Sequence, residues 1–244
     1  MALKSIDMSM FNWSSCRDAV SQQHGNDLPA STEVRLTLME AIRVGLLKPG
    51  TRLKEAELGE LLSVSRTPLR EALTALKSEH IITAGKDGLR IRQLDWRDIT
   101  DLYELRATLE GMAGRLAAEK SGHSEKAVLQ ELCNDEDMMI CQGAAPEALA
   151  QHNAMFHSAI LSTARNQFLS ESLVRHSQML VLLGVTAYSV PSRIISIQAE
   201  HHAVNAAIQS GDAEGCERAM KHHLHEALKA RLKLASLSTN SEMD

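Results

Sequence analysis

The sequence predicts a mainly α-helical chain in two parts: a winged helix-turn-helix over residues 31–94 and an all-α antiparallel helical bundle over residues 95–235. Three observations predict it. The composition has 3% aromatic residues and five prolines, and is rich in Leu, Ala, Met and Glu, the usage of a helical protein. Three short apolar-periodic segments and a hairpin signal follow one another between residues 31 and 94. From Trp96 onward every segment has helical spacing, with short breaks between segments.

The elements follow in order. Residues 1–30 show no clean periodicity and end in "QQHGNDLPAS", so a poorly ordered arm is expected there. A helix starts at Ser31 or Thr32, with Val34, Leu38, Ala41, Ile42 and Leu46 as its stripe, and "KPG" ends it. "EAELGELL" forms a second helix, with Leu58, Leu61 and Leu62 inward. "SVS" turns the chain, with Ser63 where glycine is favoured for its free access to positive φ. "RTPLREALTALKSEH" forms the third, with Leu69, Ala72, Leu73 and Leu76 on one face; Ser65 or Thr67 caps it and Pro68 sits in its first turn. "HIITA" and "LRIRQL", separated by "GKDG", read as a hairpin.

Six helices are expected beyond it: "DITDLYELRATLEGMAGRLAAEK", "SEKAVLQELCNDEDMMICQG", "PEALAQHNAMFHSAILSTA", "NQFLSESLVRHSQMLVLLGVTAYS", "PSRIISIQAEHHAVNAAIQSG" and "DAEGCERAMKHHLHEALKARLKLAS". In the first, Ile99, Leu102, Leu105, Leu109, Met112 and Leu116 form the expected core stripe. Gly211 ends the fifth and Asp212 caps the sixth. Short connections make them a bundle, and residues 236–244 a tail.

Charge separates the two parts. Residues 31–94 carry 11 Lys+Arg against 8 Asp+Glu, whereas the rest carries 15 against 23. A basic head on an acidic body fits a DNA-binding unit with a separate sensing unit. No apolar run approaches the roughly 18 residues that span a membrane, and the N-terminus lacks the continuous apolar stretch of a secretory signal. A cytoplasmic protein with no membrane partner is expected. The four cysteines have no CxxC spacing and read as reduced, mostly buried thiols.

Eight of the eleven histidines lie between His152 and His225. Helical spacing sorts them. His201 shares a stripe with Ile194, Ile197, Val204 and Ile208; His223 with Cys216, Ala219, Met220, Ala227 and Ala230; His157 with Ala150, Asn153, Ile160 and Ala164. Three inward histidines and one inward amide therefore come from three helices. His152, His202, His222 and His225 fall off these stripes and are expected in solvent.

"GTRLKEAELGELLSVSRTPLREALTAL" resembles the DNA-binding segment of GntR-family transcription regulators. "LYELRATLEGMAG", "NAMFHSAI", "ARNQFL" and "EHHAVNAAIQSGDAEGCERAMKHHL" resemble blocks of the FCD effector domain of the FadR subgroup, in the family's order. The resemblance implies a homodimeric regulator, expected to be a repressor, that binds an inverted-repeat operator in double-stranded DNA and responds to a small-molecule effector. It carries DNA contact onto Arg66, Thr67 and Arg70, with Gly88 at the wing tip in the minor groove; Ser65 opens the same helix, and Lys54 stands in for the basic residue that often starts the second helix and reaches phosphate. The family often has glycine just after the recognition helix, where this chain has His80.

The resemblance also implies a divalent transition metal (Zn, Ni, Co, Fe or Mn) held by position 153 and by His157, His201 and His223, the last two 22 residues apart. Many FCD domains have Asp where this chain has Asn153. Three neutral imidazoles and an amide supply no negative charge. A small carboxylate effector, bound partly through the metal, would relieve that deficit, with Arg106 as a second clamp. The alternatives are a metal-free regulator sensing an acyl-CoA or another apolar ligand, and a metal-dependent enzyme on the helical domain. Against the enzyme, no Glu or Asp has an evident general-base placement: Glu200 adjoins His201 but points roughly 100° away around the helix.

Overall fold

The computed structural model describes residues 13–184 and 186–240. The chain divides into two compact units. One holds the described residues up to Leu94 together with Gln178–Gly184; the other holds Asp95–Ser177 and the described residues after position 185.

The first unit opens with a helix where an unstructured arm was expected. Helix α1 (Trp13–His24) buries Trp13, Cys16 and Val20 against α2 (Ala30–Arg43), and Arg17 pairs with Glu33 at 2.6 Å. Those three apolar residues recur at steps of three and four, so the helical signal was present but short. Phe11 lies outside the described residues. In α2 the expected face is buried at Val34, Leu38, Ala41 and Ile42, but Leu47 rather than Leu46 completes the core. The helix stops at Arg43 and Gly45 takes φ +78°, so the 3.6-residue rhythm no longer applies at Leu46.

Helices α3 (Glu55–Leu61) and α4 (Arg66–Ser78) form the helix-turn-helix, with Leu58, Leu62, Leu69, Ala72, Leu73 and Leu76 buried. Strands β2 (Ile82–Gly85) and β3 (Gly88–Ile91) form the expected hairpin, Gly85 facing Gly88. A two-residue strand, β1 (Arg52–Leu53), adds to β3 and gives the antiparallel order β1-β3-β2. Ser63 and His80, the two residues standing where glycine is favoured, take φ +52° and +60°. Both are therefore held in the left-handed region despite their Cβ atoms.

The second unit is helical. Helix α5 (Trp96–Lys120) is started by a capping box: Asp98 N donates to Asp95 Oδ1 and Asp95 N to Asp98 Oδ2. It is followed by α6 (His123–Cys141), α7 (Pro146–Thr163), α8 (Gln167–Ser177), α9 (Pro191–Ser210) and α10 (Ala213–Asn240). The fourth expected helix is shorter than foreseen: α8 stops at Ser177, and Gln178–Leu183 is 3₁₀ and belongs with the first unit. Gly211 (φ +74°) ends α9, and Asp212 accepts from Gly215 N at the start of α10. Helix α10 continues past residue 236, where a tail was expected, to Asn240.

The close pairing of α5 and α10 positions the site. A Cβ at Gly114 would stand 3.0 Å from Cys216 Sγ, so glycine is what lets the helices approach. The expected stripe of α5 is buried at Ile99 and Leu102, but beyond them the buried face departs from it. Leu105 and Met112 are 37% and 46% exposed, whereas Tyr103, Arg106, Glu110, Gly114 and Ala117 are buried. Small residues admit the partner helix, and a pair of charged ones goes in with them.

Candidate metal and effector centre

His157 on α7, His201 on α9 and His223 on α10 come together. Their ligating nitrogens lie within 4.8 Å of one another, and the ring centroids are 4.9–5.8 Å apart. His201 and His223 are buried, and the His157 side chain is 13% exposed.

Each imidazole is backed by its own buried carboxylate. His157 Nδ1 lies 2.5 Å from Glu110 Oε2, without the alignment of a hydrogen bond. His201 Nδ1 donates to Glu136 Oε2 at 2.7 Å, and His223 Nδ1 to Glu200 Oε2 at 2.8 Å. A carboxylate beside Nδ1 draws the ring proton to that nitrogen and leaves the lone pair on Nε2. His157 Nε2 and His223 Nε2 stand 3.2 Å apart, and His201 Nε2 is buried without a hydrogen-bond partner. With the ring protons on Nδ1, the two facing nitrogens are both acceptors. Opposed lone pairs repel unless a cation lies between them. Two imidazoles on a tetrahedral ion, each with a bond of about 2.0–2.1 Å, hold their nitrogens ~3.3 Å apart. The donor set fits a divalent transition metal.

Burial favours the neutral form of His201 and His223. Burial pushes the His201 pKa down, and its hydrogen bond to Glu136 does not offset that. His223 lies well below the ordinary range through burial and then through its two histidine neighbours. Burial alone would raise Glu110, but Arg106 and then His157 hold it well below the usual carboxylate range. Burial likewise opposes ionisation of Glu136, and the bond from His201 leads the effects that outweigh it.

Two arginines complete the network. Arg106 Nε donates to Glu110 Oε1 at 2.8 Å, and its guanidinium lies 5.0 Å from the Tyr103 ring centroid. Arg193 grips Glu200 with Nη1 and Nη2 at 2.5 and 2.7 Å. Arg106 therefore stands within one residue of the cluster, as a second clamp requires, but Glu110 already engages it. Asn153, half-buried, contacts the Tyr188 hydroxyl at 3.4 Å, and that hydroxyl donates to Glu136 at 2.9 Å.

Spacing found the three histidines and missed the glutamates, Arg193 and Tyr188. Glu200 does point away from His201; it serves His223 on the neighbouring helix. Charged residues are ordinarily exposed, and only the Arg106–Glu110 spacing of four offered a signal. His152 is a correction. It is buried beside Leu149 and Phe156 on the core face of α7, and its Nε2 lies 2.8 Å from the Leu132 carbonyl. A backbone acceptor is enough to bring an imidazole inside. His202 is half-exposed and pairs with Asp137 at 2.9 Å; His222 and His225 are exposed, as expected. Cys133 and Cys216 are buried, their thiols raised to about 12 chiefly by burial, whereas Cys141 is exposed.

In the first unit Ser65, Arg66, Thr67 and Arg70 are exposed around the start of α4. Arg70 Nε donates to Glu55 at 2.9 Å and Lys54 pairs with Glu57, both on the surface. Gly88 is exposed at the hairpin turn with φ +113°; a Cβ there would meet only Arg52 Nε, at 3.9 Å, so backbone conformation rather than space calls for glycine.

Residues 30–88 match the bacterial regulatory proteins of the gntR family, and residues 101–226, about half the chain, match the FCD domain. The chain belongs to the GntR family of transcriptional regulators, with an FCD effector domain. A probable D-xylose utilization operon transcriptional repressor of Paenarthrobacter nicotinovorans is 30% identical over 87% of this chain and 93% of its own length. The HTH-type transcriptional regulator McbR of Escherichia coli is 29% identical over 82% of this chain and 90% of its own. The solved structure of E. coli McbR/YncC superposes with a TM-score of 0.72 at 25% identity, covering 85% of this chain and 99% of that one. The family consists of regulators, not enzymes, which removes the alternative of a metal-dependent enzyme. No single helix among the described residues is long and apolar enough to cross a membrane.

Proposed function

We propose that this GntR regulator is a cytoplasmic homodimeric repressor that senses a small carboxylate through a divalent transition metal in its helical unit. His157, His201 and His223 would hold the metal, with Asn153 as an oxygen donor. The observation that carries the reading is the outward turn of all three Nδ1 atoms onto carboxylates, which leaves three Nε2 lone pairs converging. A metal held by neutral donors supplies a Lewis-acid position for an anionic oxygen. Arg106 is the second clamp. An entering carboxylate would take it in competition with Glu110, whose other oxygen meets His157, so ligand and metal positions are coupled through one side chain. An acyl-CoA or other apolar ligand suits this interior poorly, because it is lined with ion pairs.

Ser65, Arg66, Thr67 and Arg70 would enter the major groove, Lys54 would reach phosphate, and Gly88 would bring the wing to the minor groove. One such module reads few base pairs, so two copies would bind an inverted repeat. Effector binding changes operator affinity through contacts that differ between two states.

The test is a thermal-shift screen of small carboxylates on metal-loaded and chelator-treated protein, beside elemental analysis of protein purified without metal affinity steps. Stabilisation by a carboxylate only in the loaded protein is expected. Equal stabilisation in both preparations, or no metal taken up at all, defeats the reading.

A further inference from the structure

Charge around the histidine cluster is shared unevenly. Glu110 is answered by Arg106 and Glu200 by Arg193. Glu136 has no arginine or lysine partner among the described residues, although its side chain is 2% exposed. Its two oxygens accept from His201 Nδ1 at 2.7 Å and from the Tyr188 hydroxyl at 2.9 Å. Two neutral donors satisfy its lone pairs but leave its charge unanswered, and a buried charge without a counter-charge is strongly disfavoured.

The missing positive charge and the missing negative charge match. Three imidazoles and an amide leave a divalent ion with its full charge. The two Arg–Glu pairs sum to zero. Glu136 alone remains, separated from the ion's position by one imidazole ring. We propose that Glu136 is the positioning residue that anchors this metal site: through His201 it supplies the negative charge the ligand set lacks, and it holds the His201 Nε2 lone pair toward the cluster. This rests on the reading that the cluster holds a metal.

The Tyr188 hydroxyl is a second, independent observation. It touches both Glu136 and Asn153, yet it has one proton, and the shorter contact takes it. The longer contact runs from the same hydroxyl to Asn153 Oδ1, and a neutral amide tolerates that shared proton. An aspartate at 153 would instead set a second carboxylate against the same phenol. One charge is accommodated across this hydroxyl, and this chain places it on α6 rather than α7.

The experiment is Zn(II) competition with a chromophoric chelator on the full chain, at one fixed pH. It compares wild type, His223→Ala, Glu136→Gln and the double variant Glu136→Gln/Asn153→Asp, with circular dichroism on each metal-free protein. Glu136→Gln is expected to weaken Zn(II) by about 10–100-fold, the range found when an outer partner of a ligand is removed. The double variant, which moves the charge across Tyr188, is expected to regain most of that loss. A fold defect from losing the Glu136 hydrogen bonds would not be repaired by a carboxylate on another helix. Unchanged affinity in Glu136→Gln, or no recovery in the double variant, overturns the proposal. If wild type binds no more Zn(II) than His223→Ala, the metal reading itself fails and this inference with it.

Discussion

The two units of this regulator handle charge in opposite ways. In the winged helix-turn-helix the arginines and lysines of interest lie in solvent, and their acidic partners are surface ones: Arg70 with Glu55, Lys54 with Glu57. Exposed pairs of this kind are weak and screened by salt, so a phosphate can take the cation away. In the helical unit the charges are inside. Arg106, Arg193, Glu110, Glu136 and Glu200 are all buried, and removing one leaves another stranded. The difference separates two uses of the same side chains. A surface that must bind and release DNA keeps its cations loosely held, whereas a site that must set the orientation of three imidazoles fixes each one with a charge.

Operator binding gives the largest effect. Arg66→Ala and Arg70→Ala together should abolish specific binding in a shift assay at fixed salt, and each alone should weaken it by roughly 10–100-fold, as for a lost base contact. Circular dichroism and melting should not change, because both side chains are exposed. A measurable fall in melting temperature would show that the head, too, uses charge structurally.

Arg193→Met reverses the test in the other unit. It strands Glu200, on which His223 depends. Breaking a buried pair from one side typically costs about 3–5 kcal/mol. The helical unit should lose stability on that scale in urea titration, while the isolated operator contacts of α4 are untouched. A change below about 1 kcal/mol would place Arg193 with the surface pairs.

The same contrast explains what could be read from sequence. The head was legible because its polar residues are outside and its apolar ones inside, so spacing alone located α2–α4 and the hairpin. Strand β1 was not foreseen, since two residues carry no period. Helix α1 was missed because Trp13, Cys16 and Val20 make only two steps of the pattern. In the bundle His157, His201 and His223 were found because apolar neighbours share their faces. Their glutamates were not, because a charged residue is ordinarily a surface residue. The α5 stripe held at Ile99 and Leu102 and failed further on for the same reason: Arg106 and Glu110 went inward and Leu105 and Met112 outward. Each of these glutamates meets its imidazole on another helix, a pairing that no single helix's periodicity contains.

Acid should act on the bundle before the head. Folding lowers the His201 and His223 pKa values, so the unfolded chain takes up protons first as pH falls through the ordinary imidazole range near 6.5. Stability of the helical unit therefore falls on acidification through that range, by up to about 1.4 kcal/mol per proton for each pH unit. Glu110, whose pKa folding also lowers, adds a second loss at lower pH, as its carboxylate is protonated. Urea midpoints of chelator-treated protein between pH 7.5 and 5.5 should fall steadily. A flat profile would mean that these rings titrate normally and are not held neutral by burial.

The smallest effect lies in the head and concerns backbone rather than charge. His80 is exposed and holds φ +60° directly after the recognition helix, with its N–H bonded to the Lys77 carbonyl. A residue with a Cβ is disfavoured there by about 1–2 kcal/mol, and glycine is not. Glycine also gives the unfolded chain more freedom, which removes part of the gain. His80→Gly should thus stabilise the head by about 0.5–1 kcal/mol and leave operator affinity unchanged. Reduced affinity with raised stability would show instead that the His80 side chain contacts DNA, which would add a sixth polar side chain to the five proposed here.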